Sequence, residues 1–378
     1  MNDSKIINDP VFGFIKIPRG PLLQIVQHSL MQRLTRIKQL GLASVVYPAA
    51  QHTRFQHSIG AFHLMHDIGH GPFSHVLENT LIHGITHEEI SLLMMEQINQ
   101  EMNGALNLAL MIFKDEYPKR FLHQLISSQL DVDRLDYLRR DSFFTGVTEG
   151  NIGSARIIKM LDVVDDKLVV NSKGIYSIEN FLTTRRLMYW QVYLHKTAVA
   201  CEKVLVNTLL RAKYLAMNGE TVFAPPSLQY FLSNEVDAAW FSQHEEALRN
   251  YEMLDDNDIW SAIKVWMNSH DKILSILANN LINRNIFQVE VHENPISEER
   301  LDDLRKQISK KTGIAEEDAH YLMNVSVIQK DMYDVNDDRI GILYKDGTIR
   351  DIADSSEILN IGLLSKKIRK YYLCYQRL

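Results

Sequence analysis

Cysteine is nearly absent: Cys201 and Cys374 are the only two in 378 residues. Two thiols are too few for a disulfide framework or a thiolate metal site, so any metal must be held by imidazoles and carboxylates, and a reducing compartment is expected. No run of about 18 apolar residues occurs, so no membrane span is expected. The opening MNDSKIINDP has neither the basic start nor the apolar centre of a secretion signal, and a cytoplasmic location follows as the expectation. Internal repeats, low-complexity tracts and proline-rich linkers are also missing. Charge of one sign is not in large excess; the net −6 argues against a nucleic-acid coat, although a local basic groove could sit inside it. With 46% hydrophobic and 23% charged residues the chain should fold as an ordinary globular protein, long enough for a main domain and a smaller appendage.

From about Leu22 to Ile282 apolar residues recur at helical spacing, as in LLQIVQHSLMQRLTRIKQL and CEKVLVNTLLRAKYLAM. The expected fold is therefore mainly α. Two short exceptions are VFGFIKIP and KLVVNSKGIY, the second reading as a small β-hairpin about Ser-Lys-Gly. After Asn285 the texture changes to IFQVEVHE, a polar helix SEERLDDLRKQISKKTG, YLMNVSVIQ, and IGILYKDGTIRDI with a Lys-Asp-Gly turn. These predict a helical domain over 1–285 and a small α+β domain over 286–378.

Eight of the fifteen histidines lie between His52 and His87, within which HDIGHGPFSH runs from His66 to His75. One such histidine is more often a satisfied core or helix-end residue than a ligand. The whole run reverses that weighting, because adjacent His and Asp followed by Gly69, Gly71 and Pro72 suit ligands presented where a helix ends and backbone packs closely. In DVDRLDYLRRD a helix would place Asp133, Tyr137 and Asp141 on one face, with Asp131 as N-cap; a solvated, salt-bridged helix is the equally weighted alternative. His57 and Arg54 in RFQHS add an imidazole and a phosphate-binding guanidinium. Together these parts suit attack by metal-activated water on phosphorus.

The runs INDPVFG, QRLTRIKQLG, RFQHS, HDIGHGPFSH, THEE, DVDRLDYLRRD and RRLMYWQVYLHK, from Ile7 to Lys196, resemble the HD-domain phosphohydrolases, and among them the deoxynucleoside triphosphate (dNTP) triphosphohydrolases. The resemblance implies an HD-domain helical core. It implies His57, His66, Asp67 and Asp133 as metal ligands, with Asp67 also catalytic, and His70, His75 and His87 around the scissile phosphate. Arg54, Arg134 and Arg185 are implied for phosphates, and Gln39, Tyr137, Asp141 and Tyr193 for sugar and base. Arg134 stands where relatives have Lys, which keeps the charge and changes its geometry. The implied cofactor is a divalent Fe, Mn, Zn, Ni or Co ion, with Mg accompanying the nucleotide. The implied reaction converts a dNTP to deoxynucleoside plus triphosphate by attack at the α-phosphorus, in a homo-oligomer, dimer or tetramer. Gln27 and Thr35 replace an Asp and an Arg that read a guanine activator in a relative, so activation by guanine nucleotide is not expected.

One spacing departs from the family. His57 and His66 are nine residues apart; on one helix they would lie about 900° and roughly 13 Å apart, on opposite faces. Relatives place further helices between these motifs. A segment between about Ile59 and His66 is therefore expected to be absent here; otherwise a sharp break near Gly60 must bring the ligands together. Two other functions stay open. One is a nucleotidase or phosphodiesterase on monophosphates or short oligonucleotides. The other is a nucleic-acid-binding regulatory module with a vestigial site, suggested by SKKTG and SKKIRKYY, where a solvated helix face is the stronger reading. Tyr189 and Trp190 are expected in the core.

Overall fold

The computed structural model describes residues 4–61, 64–73, 76–330, 333, 339–358 and 368–378. The chain opens with an antiparallel hairpin, Ser4–Asp9 against Gly13–Pro18. Its turn is set by Asp9, whose Oδ1 accepts the N–H groups of Val11 and Phe12 at 2.9 and 2.8 Å. This is the local reason for Asn-Asp-Pro in the INDPVFG run. The other oxygen of Asp9 reaches Arg140 at 2.7 Å, so the hairpin is bolted to the helix that carries Asp133.

Helices dominate from there to Ile282, as expected. The longest, Lys196–Met217, starts at the His195 N-cap and buries Val204, Leu205, Thr208, Leu209, Ala212 and Leu215, the spacing of one helical face. It packs against Pro226–Ser233 and Lys272–Ile282. The stretch from Leu22 to Leu40 departs from its apparent periodicity and is not one long helix. It breaks at His28, which is extended and uses its ring Nδ1 to accept the N–H of Leu30, so the chain runs as Pro21–Gln27, then Ser29–Arg33, then a 3-10 turn.

Two apolar cores result. The larger holds Met31, Ile59, Ile68, Leu205 and Leu277; the smaller holds Leu138, Ile178, Phe181 and Ile342. The helices Arg54–Gly60 and Val132–Thr145 touch where these cores abut, and the site forms there. The expected β-hairpin exists but its turn is elsewhere: Leu161–Val164 pairs with Lys167–Asn171 through Asp165 and Asp166, both at positive φ, while Ser172–Gly174 forms a 3-10 turn. A two-residue hairpin loop needs two left-handed residues, which Asp tolerates.

Beyond Asn285 the strands Gln288–His292, Met323–Lys330 and Ile368–Tyr375 form an antiparallel sheet with the last in the centre. The helix Glu298–Thr312, capped by Ser297 and closed by left-handed Gly313, buries Leu301, Leu304 and Ile308. Gly341–Leu343 pairs in parallel with Lys167–Asn171, and Ile349–Asp351 flanks it. Residues after 285 contribute to both cores. Of the basic run SKKIRKYY, Ser365–Lys367 lie outside the described residues.

Candidate active site

A capping box starts the helix that presents His57: Thr53 accepts the Gln56 N–H, and Gln56 Oε1 accepts that of Thr53. Gly60, the last residue of this helix, is glycine because the neighbouring helix lies against it; a Cβ there would come 1.9 Å from Arg140 Nη2 and 2.3 Å from Asp136 Oδ1. A 3-10 turn, His66–Gly69, follows; residues 62–63 between the two lie outside the described residues. Asp67, on this turn, meets His57, whose Nε2 is 3.3 Å from Asp67 Oδ2 and 2.7 Å from Asp133 Oδ1. The ligand atoms of His57, Asp67 and Asp133 lie within 4.8 Å of one another. His66 stands beside this group, its Nδ1 3.4 Å from Asp67 Oδ1.

The electrostatics suit a cation. Burial alone would lower the pKa of His57, but hydrogen bonds to Asp133 and Asp136 raise it well above the ordinary imidazole value. His57 Nδ1 donates to Asp136 Oδ2 at 2.6 Å, which leaves Nε2 facing two carboxylates. Such an arrangement holds together only around a proton or a metal ion. Burial opposes ionisation of Asp67 too, yet His70, His66 and Arg54 keep its carboxyl well below the usual range. One imidazole and two carboxylates are a donor set for a divalent transition ion, with His66 adjacent.

A second wall faces Asp67. His70 is held well below the ordinary imidazole pKa by burial and then by Arg54, so it stands neutral, Nε2 3.4 Å from Asp67. Its ring stacks on His87 at 3.9 Å between centroids, and His87 Nδ1 donates to Glu78 at 2.9 Å. His87 opens the helix His87–Glu101 behind a Thr86–Glu89 capping box, the THEE run. His75 lies outside the described residues.

These groups line one cavity of about 730 Å³. Gln39, Arg54, His66, Asp67, His70, His87, Asp133, Arg134, Tyr137, Asp141, Arg185 and Tyr193 all face it; His57 lies just behind the wall. Asp131 caps the Val132–Thr145 helix through the Arg134 N–H, and Asp133, Tyr137 and Asp141 share its cavity-facing side. Burial pushes the Asp131 carboxyl up to about 6. Arg134 Nε donates to the Ser128 carbonyl at 2.8 Å, and its guanidinium lies 3.3 Å from Asp131. Arg54 Nη1 lies 3.2 Å from Asp67 Oδ2. Both oxygens of Asp141 are engaged, by His52 Nε2 at 2.7 Å and by the Tyr193 hydroxyl at 2.8 Å.

Tyr189–Tyr193 is a single π-helical turn, a feature frequent at functional sites, and it puts Tyr189 on the cavity as well as against the core. Trp190 instead stacks under Lys370, 4.3 Å from its ring centre. Sequence reasoning missed Asp136, Glu78 and His52. Asp136 and Glu78 had a findable signal, since a working imidazole usually has a carboxylate on its second nitrogen.

A family model described as the HD associated region matches residues 152–221. The uncharacterized protein YwfO of Bacillus subtilis is 28% identical over 418 residues, covering 100% of this chain and 93% of that protein. Those aligned positions exceed the chain's 378 residues, so that relative carries insertions. The deoxynucleoside triphosphate triphosphohydrolase of Homo sapiens is 28% identical over 57% of this chain and 46% of that protein. The chain thus spans about half the length of that triphosphohydrolase. A crystal structure of a phosphohydrolase from Bacteroides thetaiotaomicron is 62% identical, with a TM-score of 0.96, and the match covers 99% of this chain and 100% of that one. Likeness of that degree, over the whole length and around a histidine–aspartate group that could hold a metal ion, places this chain in the family of HD-domain phosphohydrolases.

Proposed function

We propose that this chain is a dNTP triphosphohydrolase, releasing a deoxynucleoside and intact triphosphate. The observation that carries the reading is Arg185. Its Nε and Nη1 are buried without hydrogen-bond partners among the described residues, on the wall of the cavity that Asp67 and Asp133 also line, with His57 beside them. A cationic guanidinium in that condition suits a polyphosphate. Asp141 and Tyr137, on the same cavity, offer an acceptor and a ring for a deoxyribose.

His57, Asp67 and Asp133, with His66 beside them, would hold a divalent ion, whose chemistry there would be to acidify a water and neutralise charge on the phosphoryl oxygens. The chain's own residues do the rest. Arg54, Arg134 and Arg185 bind the phosphates and fix the α-phosphorus. His87, oriented by Glu78, holds the proton that the departing 5′-oxygen takes as its bond to phosphorus breaks. Neutral His70 stacks on that ring and keeps it in place. A homo-oligomer and a cytoplasmic setting accompany this reading on family grounds alone.

The test incubates Mn-loaded protein with each of the four dNTPs, alone and mixed, and resolves the products by chromatography, with Asp67→Ala as control. Triphosphate plus deoxynucleoside, lost in the variant, is expected. Inorganic phosphate from a monophosphate, or a cleaved dinucleotide with every dNTP intact, would move the assignment to a nucleotidase or phosphodiesterase. No cleavage at all would favour the binding module.

A further inference from the structure

Asp67 and His70 sit on one short 3-10 turn, a conformation with little persistence of its own. Its five carbonyls, from His66 to His70, are all engaged. The Ser91 hydroxyl donates to His66 at 2.6 Å, and the His70 N–H to Asp67 at 3.0 Å. The remaining three are held from far away in sequence. Arg33 Nη1 donates to the carbonyls of Ile68 and His70 at 3.4 and 2.9 Å, and the Tyr251 hydroxyl to that of Gly69 at 2.7 Å. Arg33 also donates from Nε to Leu254 at 2.9 Å, and its guanidinium lies over the Tyr251 ring at 5.1 Å. Both side chains are 1% exposed.

Placing a guanidinium there is costly. Arg33 is fully enclosed, its strongest contacts are carbonyls, and Asp255 and Asp256 act on it only from a distance. A planar fork is needed because a single donor could not reach Leu254, Ile68 and His70 at once. Neither Arg33 nor Tyr251 lines the cavity, so any effect on chemistry must pass through the turn they hold. The segment after Tyr251 extends the same grip, since Asp256 accepts the N–H groups of Phe73, at positive φ, and of Lys38, next to the cavity-lining Gln39.

We infer that Arg33 and Tyr251 are positioning residues of the metal centre, holding the His66–His70 backbone so that Asp67 meets His57 and Asp133 before an ion arrives. The inference rests on the reading that an ion binds there. Supports behind metal ligands typically change affinity by 10- to 100-fold.

The experiment measures Mn affinity of the full chain by equilibrium dialysis, with the melting temperature of the metal-free protein alongside. Tyr251→Phe keeps the ring and removes one donor. Tyr333→Phe is the matched control, because that hydroxyl, equally buried, donates to Asp351 in the smaller core. Tyr251→Phe should weaken Mn binding about tenfold, and Arg33→Lys up to about 100-fold, with kcat restored at saturating Mn. Tyr333→Phe should lower the melting temperature and leave Mn affinity within about twofold, the scatter expected for a site it does not touch. Equal losses of affinity in Tyr251→Phe and Tyr333→Phe, or none in Tyr251→Phe, would overturn the inference while leaving the metal site standing. Wild-type protein that binds no Mn would overturn the proposed function and this inference together. Should Arg33→Lys fail to fold, the tyrosine pair decides alone.

Discussion

Replacing Asp136 by Asn tests the electrostatic account of the metal group at its most specific point. Asp136 is 2% exposed; its Oδ2 receives His57 Nδ1 at 2.6 Å and Arg140 Nε at 2.9 Å, and its Oδ1 receives Arg140 Nη2 at 3.0 Å. The carboxylate thus accepts on both sides and fixes the His57 proton on Nδ1, leaving Nε2 for an ion. An amide cannot accept on both sides. With its oxygen toward His57, its NH2 meets the Arg140 fork; with the amide flipped, it donates to His57 Nδ1 and moves the proton to Nε2, where the ion should bind. Either outcome should weaken metal binding by 10- to 100-fold, about 1.4 to 2.7 kcal/mol. Stability should fall as well, by about 3 kcal/mol, the lower end for disrupting a buried pair, because Asp9 still holds Arg140 at 2.7 Å. Mn affinity from equilibrium dialysis and a thermal melt of the metal-free protein read the two effects separately. A melt that drops while Mn affinity stays within about twofold of wild type would refute the reasoning, since Asp136 would then serve Arg140 alone.

The pH dependence of metal binding should follow His57. Its pKa in the metal-free protein is raised, so the proton on His57 stabilises that form fully below about 6.5, and this contribution is lost as pH rises through the elevated folded value. An ion must displace that proton, so Mn affinity should rise by about tenfold per pH unit until His57 deprotonates unaided, with about one proton released at neutral pH. Calorimetry in two buffers of different ionisation enthalpy measures the release; identical heats would count against it. Arg185→Ala should raise KM for the hydrolysed nucleotide by about 10- to 100-fold, the worth of a charged hydrogen bond of about 1.5 to 3 kcal/mol, without changing Mn affinity. A loss of Mn binding in that variant would show that Arg185 supports the metal group and not the phosphates.

The parts of this site legible in the sequence are those that repeat with a helix. Asp133, Tyr137 and Asp141 share a face because they are spaced by four residues, and Asp131 caps because an Asx residue precedes a helical run. What could not be read was where helices stop for tertiary reasons. The chain breaks at His28 although its apolar pattern continues. The helix that carries His57 ends at Gly60, a glycine because Arg140 and Asp136 occupy the volume a side chain would need. His57 and His66, nine residues apart, looked incompatible on one helix; they lie on separate elements, where Asp67 meets His57 and His66 stands beside Asp67. The misplaced hairpin has a local cause, since Asp165–Asp166 carries the left-handed turn that Ser-Lys-Gly had suggested.

The motifs are longer than their ligands require, and the structure gives a physical reason. INDPVFG contains Asp9, which holds Arg140; QRLTRIKQLG contains Arg33, which holds the carbonyls of Ile68 and His70; DVDRLDYLRRD contains both Asp136 and Arg140 beside the ligand Asp133. A ligand triad drawn from three chain segments keeps its geometry only if the segments are fixed to one another. Those fixings are buried, and those of Asp9 and Arg33 reach across long sequence separations, so they show no periodicity and look like excess polar residues on otherwise amphipathic elements. Tyr251 and Leu254 lie outside every recognisable run, yet they complete the grip on the turn that carries Asp67. Recognising candidate ligands therefore finds where an ion could be held, whereas the affinity of that site should depend on residues that only the folded chain reveals.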